Sequence, residues 1–72
     1  MNHSIFKTAR TISVDDYAVP AGEEWPARVY RVNRAGSGYD TETGRQVRTK
    51  ARLWFSNTKF SDYPLDSLIP VY

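Results

Sequence analysis

Arg48, Lys50 and Arg52 recur at every second position, and Trp54 follows on the same parity, within the stretch VRTKARLWF at residues 47–55. In an extended chain, side chains of one parity share a face and stand about 6.6–7 Å apart. That step is comparable with the phosphate spacing along a nucleic-acid strand. A row of cations at this spacing suits a polyanion, and an indole beside it suits stacking on a base, worth about 1–3 kcal/mol. The other parity, Val47, Thr49, Ala51, Leu53 and Phe55, is mostly apolar. The alternation therefore predicts a strand with one face in a core and the other in solvent. The outward set fits either a working surface or the solvated back of an ordinary strand.

Other chemistry is hard to build from this chain. There is no cysteine, which excludes disulfides and thiolate metal sites. His3 is the one histidine and sits at the terminus, where residues 1–4 are expected to fray. Neither a zinc site nor a Ser–His–acid constellation is expected from it. Asp15-Asp16 and Glu23-Glu24 are sequential carboxylates, whose side chains diverge on extended chain and suit no two-carboxylate mechanism. Gly36-Ser37-Gly38 lacks the Lys-Ser/Thr of a phosphate-cradling loop. The expectation is a non-enzymatic protein with no cofactor and no metal.

Charge and size sharpen the candidate surface. The chain has 72 residues and a net charge of +2. Residues 25–53 alone carry Arg28, Arg31, Arg34, Arg45, Arg48, Lys50 and Arg52 against Asp40 and Glu42, a local excess of +5 between two mildly acidic ends. Six of those seven cations are arginine, whose planar fork suits phosphates and carboxylates. A single domain of this size nets only about 3–5 kcal/mol from its core. A tight aromatic core or self-association is therefore expected to supply stability. No apolar run approaches the ~20 residues of a membrane span. The N-terminal residues lack the apolar stretch of a secretory signal, so a cytoplasmic location (nuclear in a eukaryote) is expected.

The elements that must position these residues read as strands. Residues 4–14 mix β-branched and aromatic residues and predict a strand. Pro20 and Gly22 mark a turn. WPARVYRV, residues 25–32, predicts a second strand with Pro26 at its start or on an edge. Residues 33–44 contain Gly36, Gly38 and Gly44 and predict a loop or hairpin tip. If residues 25–34 and 46–55 pair, some of Arg28, Arg31 and Arg34 join the ladder. PLDSL predicts one 3₁₀ or helical turn from Pro64 to Leu68, leading into a last short strand. The expected fold is all-β, a small barrel of about five short strands forming a single domain over residues 1–72.

Three stretches carry a resemblance to a known family. Trp25-Pro26-Ala27-Arg28-Val29 is similar to the WPA(R/K)V signature of PWWP domains, which belong to the Tudor-like, SH3-type barrels. Leu53-Trp54-Phe55-Ser56-Asn57-Thr58 resembles that family's FFGT element, with Ser56-Asn57 replacing the glycine. Residues 63–70, YPLDSLIP, resemble its closing turn. The strand that precedes WPA in the family is not evident in VDDYAVPAGEE. The resemblance implies an SH3-like (Tudor/PWWP-like) barrel with a 3₁₀ turn before the last strand. It also implies an aromatic cage for a methylated lysine, walled by Trp25 and Phe55 (or Trp54). On the bland alternative these rings are core.

Three functions follow as expectations. The first is nucleic-acid binding through Arg28, Arg31, Arg34, Arg48, Lys50, Arg52 and Trp54. The second is a small phage- or plasmid-type protein that docks the same face on an acidic surface of a host protein. The third is a chromatin reader using the Trp25–Phe55 cage.

Overall fold

A computed structural model describes residues 5–72; the expected fraying of residues 1–4, and His3, lie outside the described residues. The described chain is all-β, with one 3₁₀ turn and no helix long and apolar enough to cross a membrane. It forms nine short strands rather than about five: β1 (Ile5–Thr8), β2 (Tyr17–Ala18), β3 (Ala27–Arg28), β4 (Arg31–Ala35), β5 (Gly38–Tyr39), β6 (Gln46–Val47), β7 (Lys50–Trp54), β8 (Phe60–Pro64) and β9 (Leu68–Val71). All pairing is antiparallel. The ladders are β1–β9, β2–β3, β5–β6 and the three-stranded β4–β7–β8; they do not close into one continuous sheet.

The extra breaks have local causes. The expected strand over residues 4–14 stops at Thr8, because Ala9–Thr11 winds into the 3₁₀ turn, with the Thr11 hydroxyl donating to the Thr8 carbonyl at 2.9 Å. The expected strand over residues 25–32 divides because its partner changes. Val29 exchanges backbone hydrogen bonds with Asp15 and Asp16 (both 2.8 Å), whereas the next amide, Tyr30, donates to Trp54 O at 2.9 Å. The expected 3₁₀ turn from Pro64 is a β-turn, closed by the Ser67 amide on Pro64 O at 3.0 Å. Pro64 itself ends β8, an outer strand of its sheet, where a missing amide hydrogen costs no ladder bond.

Register sorts the side chains of the main sheet. Val32, Leu53 and Ser61 lie abreast, as do Arg34, Ala51 and Tyr63, on the face toward the core. Ala51 and Leu53 are fully buried there, in a core that they share with Ala9, Ile12, Ala18, Val29, Ile69 and Val71. Five of these eight are alanine or valine, so the core is thin and Leu53 is its largest fully buried side chain. The β1–β9 ladder adjoins β2 through the Tyr72 amide on Tyr17 O at 3.0 Å.

Beyond Ala35 and Lys50 the main hairpin runs on away from the core. The pair Ala35↔Lys50 and the pair Gly38↔Val47 share one register, three residues further along each strand. A four-residue gap in the ladder, residues 36–37 and 48–49, separates them. Gly36 sits there at φ +74°, and a Cβ on it would stand 2.5 Å from Thr49 Oγ1. Only glycine tolerates both conditions. A Cβ on Gly38 would lie 2.8 Å from the Thr49 methyl, so the two glycines close around Thr49 from one side.

Candidate nucleic-acid interface

The outward face of the main sheet carries Arg31 and Asn33 from β4, Lys50, Arg52 and Trp54 from β7, and Phe60 and Asp62 from β8. Trp54 is on the central strand, directly between Arg31 and Phe60. The Arg31 guanidinium carbon stands 4.2 Å over the indole, and the Phe60 ring packs against the indole at 4.7 Å with a 46° tilt. The indole N–H donates to Asn33 Oδ1 at 2.8 Å. Arg52, abreast of Asp62, gives it two hydrogen bonds of 2.8 and 3.0 Å and also covers the Phe60 ring at 4.2 Å. Hydrogen bonds from Arg52 hold the Asp62 carboxyl below the usual aspartate range against its partial burial, with help from the charges of Arg52 and Lys50.

The expected ladder is thus divided. Lys50, Arg52 and Trp54 do share the outward face, and Arg31 joins them opposite Trp54. Arg52 is neutralised by Asp62, and Trp54 is enclosed by its neighbours. Arg48 lies in the gap before β7 and donates to Gly36 O at 3.2 Å. Val47, expected inside, is 39% exposed and is not part of the core cluster, because the hairpin has left the core at that point. Arg34 is on the opposite face and donates to Arg10 O at 3.1 Å. Arg28 belongs to β3, away from the ladder, and pairs with Asp15 at 3.3 Å.

Five ion pairs occur among the described residues: Lys7–Asp16, Arg10–Asp66, Arg28–Asp15, Arg52–Asp62 and Lys59–Glu23. The cations left outside them are Arg31, Arg34, Arg45, Arg48 and Lys50, all five on the hairpin of residues 31–54. Hydrogen bonds from Arg34 and Arg48 go to carbonyl oxygens, which leaves their charge uncompensated. Every residue from 41 to 50 is exposed, and Tyr39 is 74% exposed. β5 and β6 pack extensively only on each other. Of the hairpin's acids, Asp40 turns its carboxylate inward to accept the Glu42 amide at 2.8 Å, which shapes the tip.

The two residues of the expected cage do not line one cleft. Phe55 lines an open cleft of about 310 Å³ with Arg28, Tyr30, Ser56 and Asn57. Trp25 is not among its walls and is 76% exposed. A guanidinium in the wall of this cleft opposes a cationic guest. Asn33, Phe60, Asp62 and Tyr30 were not singled out by the sequence. The period-two pattern of Phe60-Ser61-Asp62 is the signal that places two of them on the face.

No family model, curated protein or solved structure matches the chain. The geometry alone therefore carries the functional reading.

Proposed function

We propose that this protein is a non-enzymatic nucleic-acid-binding module and that its binding element is the hairpin of residues 31–54. The observation that carries the reading is the sorting of charge. Outside the hairpin every described cation forms an ion pair with a carboxylate, while on the hairpin Arg31, Arg34, Arg45, Arg48 and Lys50 form none and only Arg52 does. An uncompensated basic strip on a solvent-exposed element attracts phosphate, and its affinity comes from releasing counterions. Arg31, Arg45, Arg48 and Lys50 are the principal phosphate contacts, and Arg52 and Trp54 hold the face in shape beneath them.

We read the architecture as an opened SH3-type, Tudor/PWWP-like barrel. Pairing of the first strand with the last, the three-strand meander β4–β7–β8 and the tight turn before β9 support that reading.

The test is fluorescence anisotropy with short mixed-sequence DNA and RNA across a salt series. Binding at low salt that weakens steeply as salt rises is expected. Absence of binding to every nucleic acid at low salt would overturn the reading, and capture of an acidic protein by the same hairpin would replace it.

A further inference from the structure

We infer that the hairpin enters the major groove of B-form duplex DNA, in preference to single strands or A-form duplexes. The inference rests on the nucleic-acid reading above and names its ligand.

Single-strand binding needs aromatic faces open to bases. On this hairpin the Trp54 ring is packed from both sides. β4 and β8 flank β7 on opposite sides, so Arg31 covers Trp54 from one side and Phe60 meets it from the other. The indole N–H is committed to Asn33. Phe60, on the neighbouring strand β8, is 43% exposed but has the indole against it and Arg52 over its ring. Tyr39 is the one widely exposed ring between residues 31 and 54, and one ring makes no stacking track.

The shape left over is a two-stranded ribbon. β4 continues into β5 and β6 into β7 in one register, and the Asp40 amide bonds Arg45 O at 2.9 Å to close the tip. From Ala35 to Asp40 the ribbon extends at most about 17 Å, the full strand rise, because Gly36 departs from extended geometry. A B-form major groove, about 12 Å wide and 8.5 Å deep, admits such a ribbon. The major groove of an A-form helix is deep and narrow and does not.

The charges fit that placement. Arg48 and Lys50 run along one strand of the ribbon, and Arg31 and Arg34 stand at its base, where flanking phosphates pass. Arg45 and Glu42 lie at the tip. A carboxylate is repelled along a phosphate backbone but is an acceptor for cytosine N4 on a groove floor.

The experiment compares a DNA duplex, the RNA duplex of the same sequence and the DNA single strand at one low ionic strength. Dimethyl sulfate probing of the bound DNA duplex accompanies it. The DNA duplex is expected to bind about tenfold tighter or better than the other two. Guanine N7, in the major groove, is expected to be protected, and adenine N3, in the minor groove, to stay reactive. Equal or tighter binding of single strand or RNA duplex overturns the inference while leaving the nucleic-acid reading intact. Protection of adenine N3 with guanine N7 open does the same. Failure of all three ligands to bind overturns both.

Discussion

Arg52 and Asp62 stand directly abreast on β7 and β8, joined by two hydrogen bonds of 2.8 and 3.0 Å. This pairing removes one cation from the apparent basic ladder and makes it a clamp between neighbouring strands. Arg52→Glu places a carboxylate opposite Asp62 and uncovers Phe60, and like charges directly opposite weaken a sheet. It should lower the thermal midpoint by several degrees, whereas Arg48→Glu, in the exposed gap, should leave it nearly unchanged. Circular dichroism melts of the two variants decide this; equal midpoints would show that the pair contributes nothing.

Leu53 is the largest fully buried side chain of a thin core. Truncating it to alanine should cost about 2–5 kcal/mol, close to the whole stability available to a domain of this size, roughly 3–5 kcal/mol. Leu53→Asp buries an unpaired charge and should leave no folded population. Urea unfolding measures the first and a one-dimensional proton spectrum the second. A folded Leu53→Asp chain is incompatible with the core described.

Gly36 and Gly38 both crowd Thr49, for different reasons. Gly36→Ala meets a positive φ as well as the Thr49 hydroxyl, and Gly38→Ala meets only the Thr49 methyl. Each should destabilise, Gly36→Ala by about 1–3 kcal/mol. Adding Thr49→Ala, which removes both the hydroxyl and the methyl, should relieve Gly38→Ala but leave most of the cost of Gly36→Ala. A double-mutant cycle reads the difference. Equal relief of both would mean that the backbone at residue 36 is unstrained.

Acid should weaken the fold in a defined window. Asp62 is held low by Arg52. Burial tends to raise Asp16, but the Ser13 amide, with Lys7, holds it low as well. Both carboxyls therefore release their protons more readily folded than unfolded, where the ordinary value is 3.8. Their contribution is complete above that value and is lost as pH falls through the lowered folded values. Thermal midpoints should hold level from neutrality to about pH 5 and decline below about pH 4. Asp62→Asn should shallow that decline; a midpoint unchanged down to pH 3 would contradict the assignment.

Much of this was legible in local pattern. The alternation over residues 50–54 separates Ala51 and Leu53 from Lys50, Arg52 and Trp54, because a period-two pattern fixes faces wherever a strand lies on a core. The same parity failed at Val47, since parity says nothing about where a hairpin leaves the core. The Asp62 clamp and the enclosure of Trp54 depend on the register of β7 with β8 and β4. That register is set by turns and core packing rather than by the residues concerned. The change of partner between Val29 and Tyr30 is a tertiary choice, so WPARVYRV reads as one strand and folds as two. Trp25 and Phe55 were linked only by resemblance, and the cleft at Phe55 is walled without Trp25.

On the proposed function, the unpaired cations of the hairpin contact phosphates. The salt dependence of binding to a DNA duplex, compared between the native chain and the Arg48→Gln, Lys50→Gln double variant, tests this. Each phosphate contact contributes about −0.9 to the slope of log K against log salt. The double variant should bind more weakly, with a slope shallower by about 1.8. A slope and affinity equal to the native values would show that these cations only solvate the hairpin.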